Sequence, residues 1–402
     1  MHELNQVNER TARPTTYDLR PTPDPTYPLR STTYLRVMHI DTGKELRGGQ
    51  QQLLLLASGL RERGHEQLVV CPEGSLLEQR AREDRLHLFA LPAHDPAHAY
   101  GIVQLRQLLW TEPFRILHAH DGQGQTIAWL ASAGMPVRRV ATRRVTFTPP
   151  GLAGGRLIHR LKYQFTCHAV IAISDFVRRI LAESGVPADM IEVIPDGVEF
   201  PPELPDMDLR SRMRAQWGFG QDDLLIGTLG GITSEKGLDI VIEALRGLEQ
   251  SLPRACLLVG GRFSGRELGR AQAETQWAGN RVRLIGPVDN PADFFASLDL
   301  YAMPSRAEGL GSAALLAMAH GVPVIATRVG GLPEVVEDER TGWLVPPDSP
   351  PALAEAIVAA ASDRARLRVL GLQARERARQ FDSSIMITRT EALYYRLLES
   401  GN

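Results

Sequence analysis

The chain has 402 residues, 43% of them hydrophobic and 23% charged, and a formal net charge of −2 at neutral pH. That length exceeds one ordinary core and predicts two domains, while a charge so near zero provides no global attraction to polyanions and argues against a nucleic-acid partner. Cys71, Cys167 and Cys256 are scattered and form no C-x-x-C pair, which argues against a disulfide framework or a zinc knuckle and fits a reducing compartment.

In chain order, residues 1–31 carry Pro14, Pro21, Pro23, Pro25 and Pro28 among Thr, Arg and Asp. With no apolar face to bury, they are expected to form a disordered tail. There is no signal-like start and no uninterrupted apolar run of about 18 residues, so a cytoplasmic protein is expected, one that can still rest on the inner face of a membrane. From Tyr34, short apolar runs (LRVMHI, QLVVC, FRILHAH, VRRVAT, AVIAIS) alternate with segments of helical periodicity, which predicts a parallel α/β domain over residues 32–198. A polar, Pro-rich stretch from Pro195 to Asp208 interrupts the pattern, and a hinge linker is placed at 199–209. The pattern resumes with LLIGTLG, ACLLVG, VRLIG, LDLYAMP, VPVIAT and TGWLVP, giving a second domain over 210–385, and 386–402 is expected to be a helix that packs back on the first domain. Helix starts are marked by Ser174 before DFVRRIL and by Asn290-Pro291 before ADFFASL. The predicted fold is two Rossmann-like, doubly wound parallel-sheet domains facing across a cleft, with ligands at the carboxyl ends of the strands.

The strand-to-helix loops carry the candidate chemistry. Gly48-Gly49 precede a helix near Gln50. FRILHAHDG ends a strand with His118 and His120, which a period of two aims at one face. Two histidines packing at a strand end and a paired-His metal site are both open readings, although the sequence offers no third ligand at a convincing spacing. Arg143 and Arg144 in ATRRVTF end another strand and are acceptor-side candidates. The segment 156–165, RLIHRLKYQF, places Leu157, Ile158, Leu161 and Phe165 on one side with Arg156, Arg160 and Lys162 flanking it. It reads either as an ordinary core helix or as a basic helix on an anionic membrane surface. Asp206 and Asp208 form a D-x-D, a spacing found in metal sites, but they lie in the linker. In the second domain, Leu229-Gly230-Gly231-Ile232-Thr233-Ser234-Glu235-Lys236-Gly237 joins a strand to a helix. Its glycines let backbone approach a ligand, and Lys236 stands near a helix N-terminus that favours anions, which is the chemistry of a diphosphate site. The P-loop spacing and the dinucleotide fingerprint are both absent, which disfavours a dehydrogenase. Finally, Ser305-Arg306-Ala307-Glu308-Gly309-Leu310-Gly311-Ser312 places a carboxylate before Gly-x-Gly at a helix start. Glu308 can accept hydrogen bonds from sugar hydroxyls while neighbouring amides face phosphate oxygens.

Together these loops resemble the retaining glycosyltransferases of family 4, which have the two-domain GT-B fold. The resemblance runs from about residue 34 to the C-terminus. It implies that Lys236 matches the phosphate-binding Lys of the family's G-R-L-x-x-x-K-G loop and that Glu308 matches the first Glu of E-x7-E, which touches the donor sugar. It further implies that Gly48 and Gly49 approach the donor phosphates, that Gly230, Gly231, Gly309, Leu310 and Gly311 line the donor, and that His120, rather than His118, lies against the donor sugar. Gly231 stands where the family usually has Arg, and Leu316 where it has the second Glu, which removes a charge and a ribose acceptor. Ile194-Pro195-Asp196-Gly197-Val198 is close to the family's hinge I-P-N-G-V/I. The implied activity is metal-independent transfer from a UDP- or GDP-sugar, with no resident cofactor, to a glycan or lipid-linked acceptor in cell-surface polysaccharide or lipopolysaccharide synthesis. A catalytically impaired sugar-nucleotide-binding relative, and an epimerase or phosphorylase on the same fold, are the competing readings.

Overall fold

A computed structural model describes residues 34–400 apart from 94, 96–97, 147–154, 232 and 264; the tail assigned to 1–31 lies outside the described residues. Among these, the strands form two sheets in which every neighbouring pair runs parallel. The first contains β1 (Arg36–Ile40), β2 (Glu66–Pro72), β3 (His87–Leu91), β4 (Ile116–Ala119), β5 (Arg138–Arg143), β6 (Ala169–Ala172) and β7 (Ile191–Val193), in the order β3-β2-β1-β4-β5-β6-β7. The second contains β8 (Leu224–Leu229), β9 (Ala255–Gly260), β10 (Val282–Gly286), β11 (Leu300–Met303), β12 (Val324–Thr327) and β13 (Gly342–Val345), in the order β10-β9-β8-β11-β12-β13. Both orders are doubly wound, with the switch points between β1 and β4 and between β8 and β11. Most of the strands read as near-continuous apolar runs because helices cover both faces: Val37, Met38 and Ile40, like Leu257 and Leu258, are fully buried. The apolar runs read from the sequence omit β3, whose short run at residues 88–91 lies on a partly exposed edge strand, and β7, which is only three residues long.

The two sheets belong to one compact unit from Leu35 onward. The helix Ser383–Glu399 returns from the second lobe to the first and packs on the helix Gly48–Glu62. There Tyr394 is fully buried with Val37, Leu56 and Ile116, and a Cβ on Gly59 would overlap Ile387. The segment assigned as linker already holds a helix start. Asp206 accepts a hydrogen bond from Leu209 N at 2.7 Å and caps the helix Met207–Trp217, which accounts for the D-x-D as a cap and its neighbour. That helix is anchored by Arg214, which has no exposed side-chain surface. It binds Asp299 at 2.6 Å and donates to the carbonyls of Ser297, Gly220, Gln221 and Asp223.

Candidate active site

The second lobe builds a pocket at its switch point, lined by Thr228 and Leu229 at the end of β8, Gly230 and Gly231 after it, Val259 and Gly260 of β9, Tyr301 and Met303 of β11, and by Lys236, Leu238 and Ser305. Tyr301 Oη lies 3.2 Å from both the N and the O of Leu229 and so fixes where the glycine loop leaves the sheet; burial pushes its phenol up and keeps it protonated. Ser234–Lys236 form a single 3-10 turn, and Gly237, at φ +66°, starts the helix Leu238–Gly247. A side chain on Gly237 would overlap the Pro304 carbonyl oxygen, so only glycine lets this turn sit against the loop after β11. Arg306 locks the same junction. Its backbone N–H donates to Glu235 O at 2.7 Å, and its guanidinium holds Ser234 O, Asp239 and Asp348. The outcome is that Lys236 Nζ and Glu308 Oε2 meet at 2.6 Å, with the lysine 39% and the glutamate 14% exposed. The Ser305 hydroxyl, in the wall of the pocket, is buried without a hydrogen-bond partner among the described residues.

The Glu308-Gly309-Leu310-Gly311 loop is held from both lobes. Ser174 Oγ donates to Gly309 O at 2.6 Å, and a side chain on Gly309 would overlap the backbone oxygen of Arg144. Gly330, at φ +57°, lies against Glu308 O, and Gly331 N donates to the same oxygen at 3.2 Å. Leu310 is buried, and Gly311, at φ +109°, opens the helix Ser312–Ala319. Leu316 is on this helix, packed against the surrounding core. Glu334 adds a second tie between the lobes by accepting the N–H groups of Asp175 and Phe176 at 2.9 and 2.8 Å.

On the first lobe the β1–β4 register sets His39 opposite His118 and supplies the third imidazole that sequence spacing did not reveal. His39, His118 and His120 bring ring nitrogens within 4.8 Å of one another, close enough for a metal. Their hydrogen bonds point elsewhere. Arg144 can only donate, so at 3.4 Å it makes His120 Nδ1 an acceptor; His120 Nε2–H then donates to His39 Nδ1 at 3.1 Å, and His39 Nε2–H to Gln67 Oε1 at 2.8 Å. His118 is bound by Tyr394 and Thr142, both at 2.6 Å. Burial, aided by neighbouring imidazoles and by Arg144, pushes His118 and His120 well below the usual imidazole range, and burial takes His39 down to about 4. The cluster is a neutral hydrogen-bonded chain whose nitrogens are all in use. A metal would have to break the His39–His120 bond beside a cationic guanidinium.

Arg144 is drawn into this network, with Nε 3.1 Å from Asp196 Oδ1, and Ser312 Oγ donates to the other Asp196 oxygen at 3.3 Å. Arg143 donates to Val145 O and interacts with Tyr163. Gly48 has open space beside it, and Gly49 faces the Arg144 side chain at 3.5 Å from where a Cβ would be. The helix Gly155–Thr166 exists, with Tyr163 buried, but Leu161 and Phe165 are 40% and 65% exposed, against the reading of a core-facing stripe. The side chains of residues 155–158, which include Arg156, Leu157 and Ile158, lie outside the described ones. Sequence reasoning did not single out His39, Ser174, Asp196, Arg306 or Glu334 as site residues; the hinge resemblance at Asp196 was the one available signal.

Residues 46–200 match the family described as Glycosyltransferase Family 4, and residues 223–363 that described as Glycosyl transferases group 1. The chain is 28% identical over 355 residues to the GDP-mannose-dependent alpha-(1-6)-phosphatidylinositol monomannoside mannosyltransferase of Mycolicibacterium smegmatis, covering 82% of this chain and 90% of that one. It is 30% identical over 288 residues to the D-inositol 3-phosphate glycosyltransferase of Xylanimonas cellulosilytica, covering 67% and 68%. Anabaena Alr3699/HepE, solved in complex with UDP, shares the fold with a TM-score of 0.80 at 20% identity, over 90% of this chain and 100% of that one.

Proposed function

We propose that this chain, which belongs to the family 4, group 1 glycosyltransferases, moves a sugar with retention of configuration from a UDP- or GDP-sugar to a lipid-linked glycan acceptor, without a resident cofactor or metal. The observation that carries this reading is the meeting of Lys236 and Glu308 beside the Gly230-Gly231 turn. One cation and glycine backbone line a single pocket at a topological switch point, and a carboxylate is paired to that cation. Relatives named for GDP-mannose dependence and a neighbour holding UDP support a nucleotide-sugar as the donor.

As the bond between the sugar and the diphosphate breaks, charge grows on the departing oxygen, and a fixed cation and amides aimed there lower the barrier. Lys236 Nζ exchanges its Glu308 partner for that diphosphate, which frees Glu308 to accept a hydroxyl of the donor sugar. The acceptor oxygen bonds to the anomeric carbon on the face the diphosphate leaves, and its proton passes to the leaving phosphate oxygen. A panel of UDP- and GDP-sugars, scored by release of free nucleotide with and without glycolipid acceptor, tests this. Release that depends on acceptor supports transfer. Sugar interconversion without acceptor supports an epimerase, and binding without turnover an impaired relative. Glu308→Ala is expected to lower kcat at least tenfold, about 1.4 kcal/mol, while the thermal midpoint holds and UDP or GDP affinity does not fall, since Lys236 loses its competing partner. A collapse of thermal stability would make Glu308 a structural residue.

The acceptor side of the reading rests on the first lobe. Helices Ala99–Thr111, Gly122–Ala131 and Gly155–Thr166 pack side by side, and none carries an Asp or Glu. They expose Tyr100 and Trp110, Trp129 and Leu130, and Leu161 and Phe165. Aromatic rings with Arg160 and Lys162, and no opposing acid on these helices, match an anionic lipid surface, where each Lys or Arg adds about 1 kcal/mol. No helix among the described residues is long and apolar enough to cross a membrane. Sedimentation with anionic vesicles is expected to fall about tenfold or more for Arg156→Glu/Arg160→Glu/Lys162→Glu and to weaken with salt; salt-insensitive or absent binding of the wild type would sink the membrane reading.

A further inference from the structure

The donor pocket as described is short of positive charge. Lys236 is compensated by Glu308 at 2.6 Å, so the pair presents no net charge to a ligand that carries at least two. The other nearby cations are committed: Arg306 to Asp239 and Asp348, and Arg144 to Asp196. Arg262 is the exception. It follows Gly261, whose N–H donates to Gly286 O at 2.7 Å and whose absent side chain leaves room for the Gly230 carbonyl, so the loop after β9 rests directly on the glycine turn of the pocket. Arg262 is exposed and makes no hydrogen bond or ion pair among the described residues. A guanidinium spans about 7 Å from its Cα, given bonds of about 1.5 Å, and Arg262 stands one residue from contact with Gly230.

We propose that Arg262 is a second phosphate-binding cation of this site, reaching the nucleoside diphosphate from the loop after β9 across Gly230 and Gly231. This rests on the donor-site reading above. Its charge enters from the side opposite Glu308, so the diphosphate is held between Arg262 and Lys236. Gly231 gives the proposal an internal test. Its backbone is outside the left-handed region, and among the described residues beyond its chain neighbours a Cβ there would meet only Thr233 Cγ2, at 3.9 Å. A side chain therefore fits at 231, and an arginine placed there projects over the same turn.

Calorimetric titration of UDP, GDP and the corresponding monophosphates is the experiment, on wild type, Arg262→Ala, Arg266→Ala, Lys236→Ala and Arg262→Ala/Gly231→Arg. Loss of one charge-assisted contact weakens the better-bound diphosphate by about tenfold for Arg262→Ala and the monophosphate by less. Restoration by Gly231→Arg to within about threefold of wild type would show that the site needs a charge there, not a particular loop. Diphosphate binding that survives Arg262→Ala but falls in Lys236→Ala overturns the role of Arg262 and leaves the donor site standing. An equal loss in Arg266→Ala, four residues along, makes the effect a general field and overturns the assignment. If neither diphosphate binds the wild type, the donor-site reading itself fails and Arg262 with it.

Discussion

Replacing Lys236 with alanine is expected to lower kcat/KM for the donor by about a hundredfold, roughly 2.7 kcal/mol, with the fold unchanged. Two terms contribute. The first is the lost cation opposite the departing diphosphate. The second is what remains: Glu308, 14% exposed and held by its backbone between Gly309, Gly330 and Gly331, stays as an unpaired carboxylate facing a polyanion. That second term is separable, because Lys236→Ala/Glu308→Gln removes the repulsion along with the attraction. The double variant is expected to recover part of the diphosphate affinity that the single variant loses, a non-additivity that contacting residues show and distant ones do not. Steady-state kinetics with the active donor, together with UDP or GDP titration, measures both. Unchanged kcat/KM in Lys236→Ala would remove this residue from the site.

Arg214→Ala is expected to destabilise the second lobe by about 3–5 kcal/mol, the largest stability effect anticipated for a single side chain here. The guanidinium is completely buried, bonds Asp299 and satisfies four backbone carbonyls, so its removal takes the side-chain donor from all four carbonyls and leaves Asp299 with Arg210 and Arg364 alone as cationic partners. Asp299 feels the change most. Burial raises its pKa, and Arg214, Arg210 and Arg364 more than reverse this, so that the carboxyl sits below its ordinary range. A depressed carboxylate stabilises the fold above its unfolded pKa, and the contribution is lost as pH falls through the folded value. The wild type is therefore expected to lose this increment in acid, and Arg214→Ala to have forfeited part of it already at neutral pH. Differential scanning calorimetry, with a midpoint lowered by about 10 °C near neutrality and a smaller gap in acid, is the check. A midpoint within about 2 °C of wild type would show that water satisfies those carbonyls.

Some of this was visible in the chain itself. The alternation of apolar runs with helical segments determined a parallel α/β protein, because strands covered on both faces must be apolar nearly throughout. Local chemistry also read true at the caps. Ser174 accepts from Val177 N at 3.1 Å and Asn290 from Ala292 N at 3.1 Å, each determined by a hydroxyl or amide within three residues of the groups it satisfies. Lys236 and Glu308 were named from separate loops because each loop carries its own signature: glycines before a helix, and a carboxylate before Gly-x-Gly.

What only the tertiary structure decided is which groups meet. His39 joins His118 and His120 because β1 and β4 are hydrogen-bonded neighbours, a pairing across about eighty residues that no local spacing encodes. Arg144, read as reaching toward an acceptor, turns to Asp196 and His120, and Arg306 spends its charge on Asp239 and Asp348, whereas Arg262, in a loop with no motif, stands uncommitted next to Gly261, which packs on Gly230. Leu161 and Phe165 show the same limit, since helical periodicity finds an apolar stripe but not what covers it. Charges and faces belong to pairs of surfaces, so the sequence determines the residues available at each loop, and the packing of one element on another determines which of them remain free to bind.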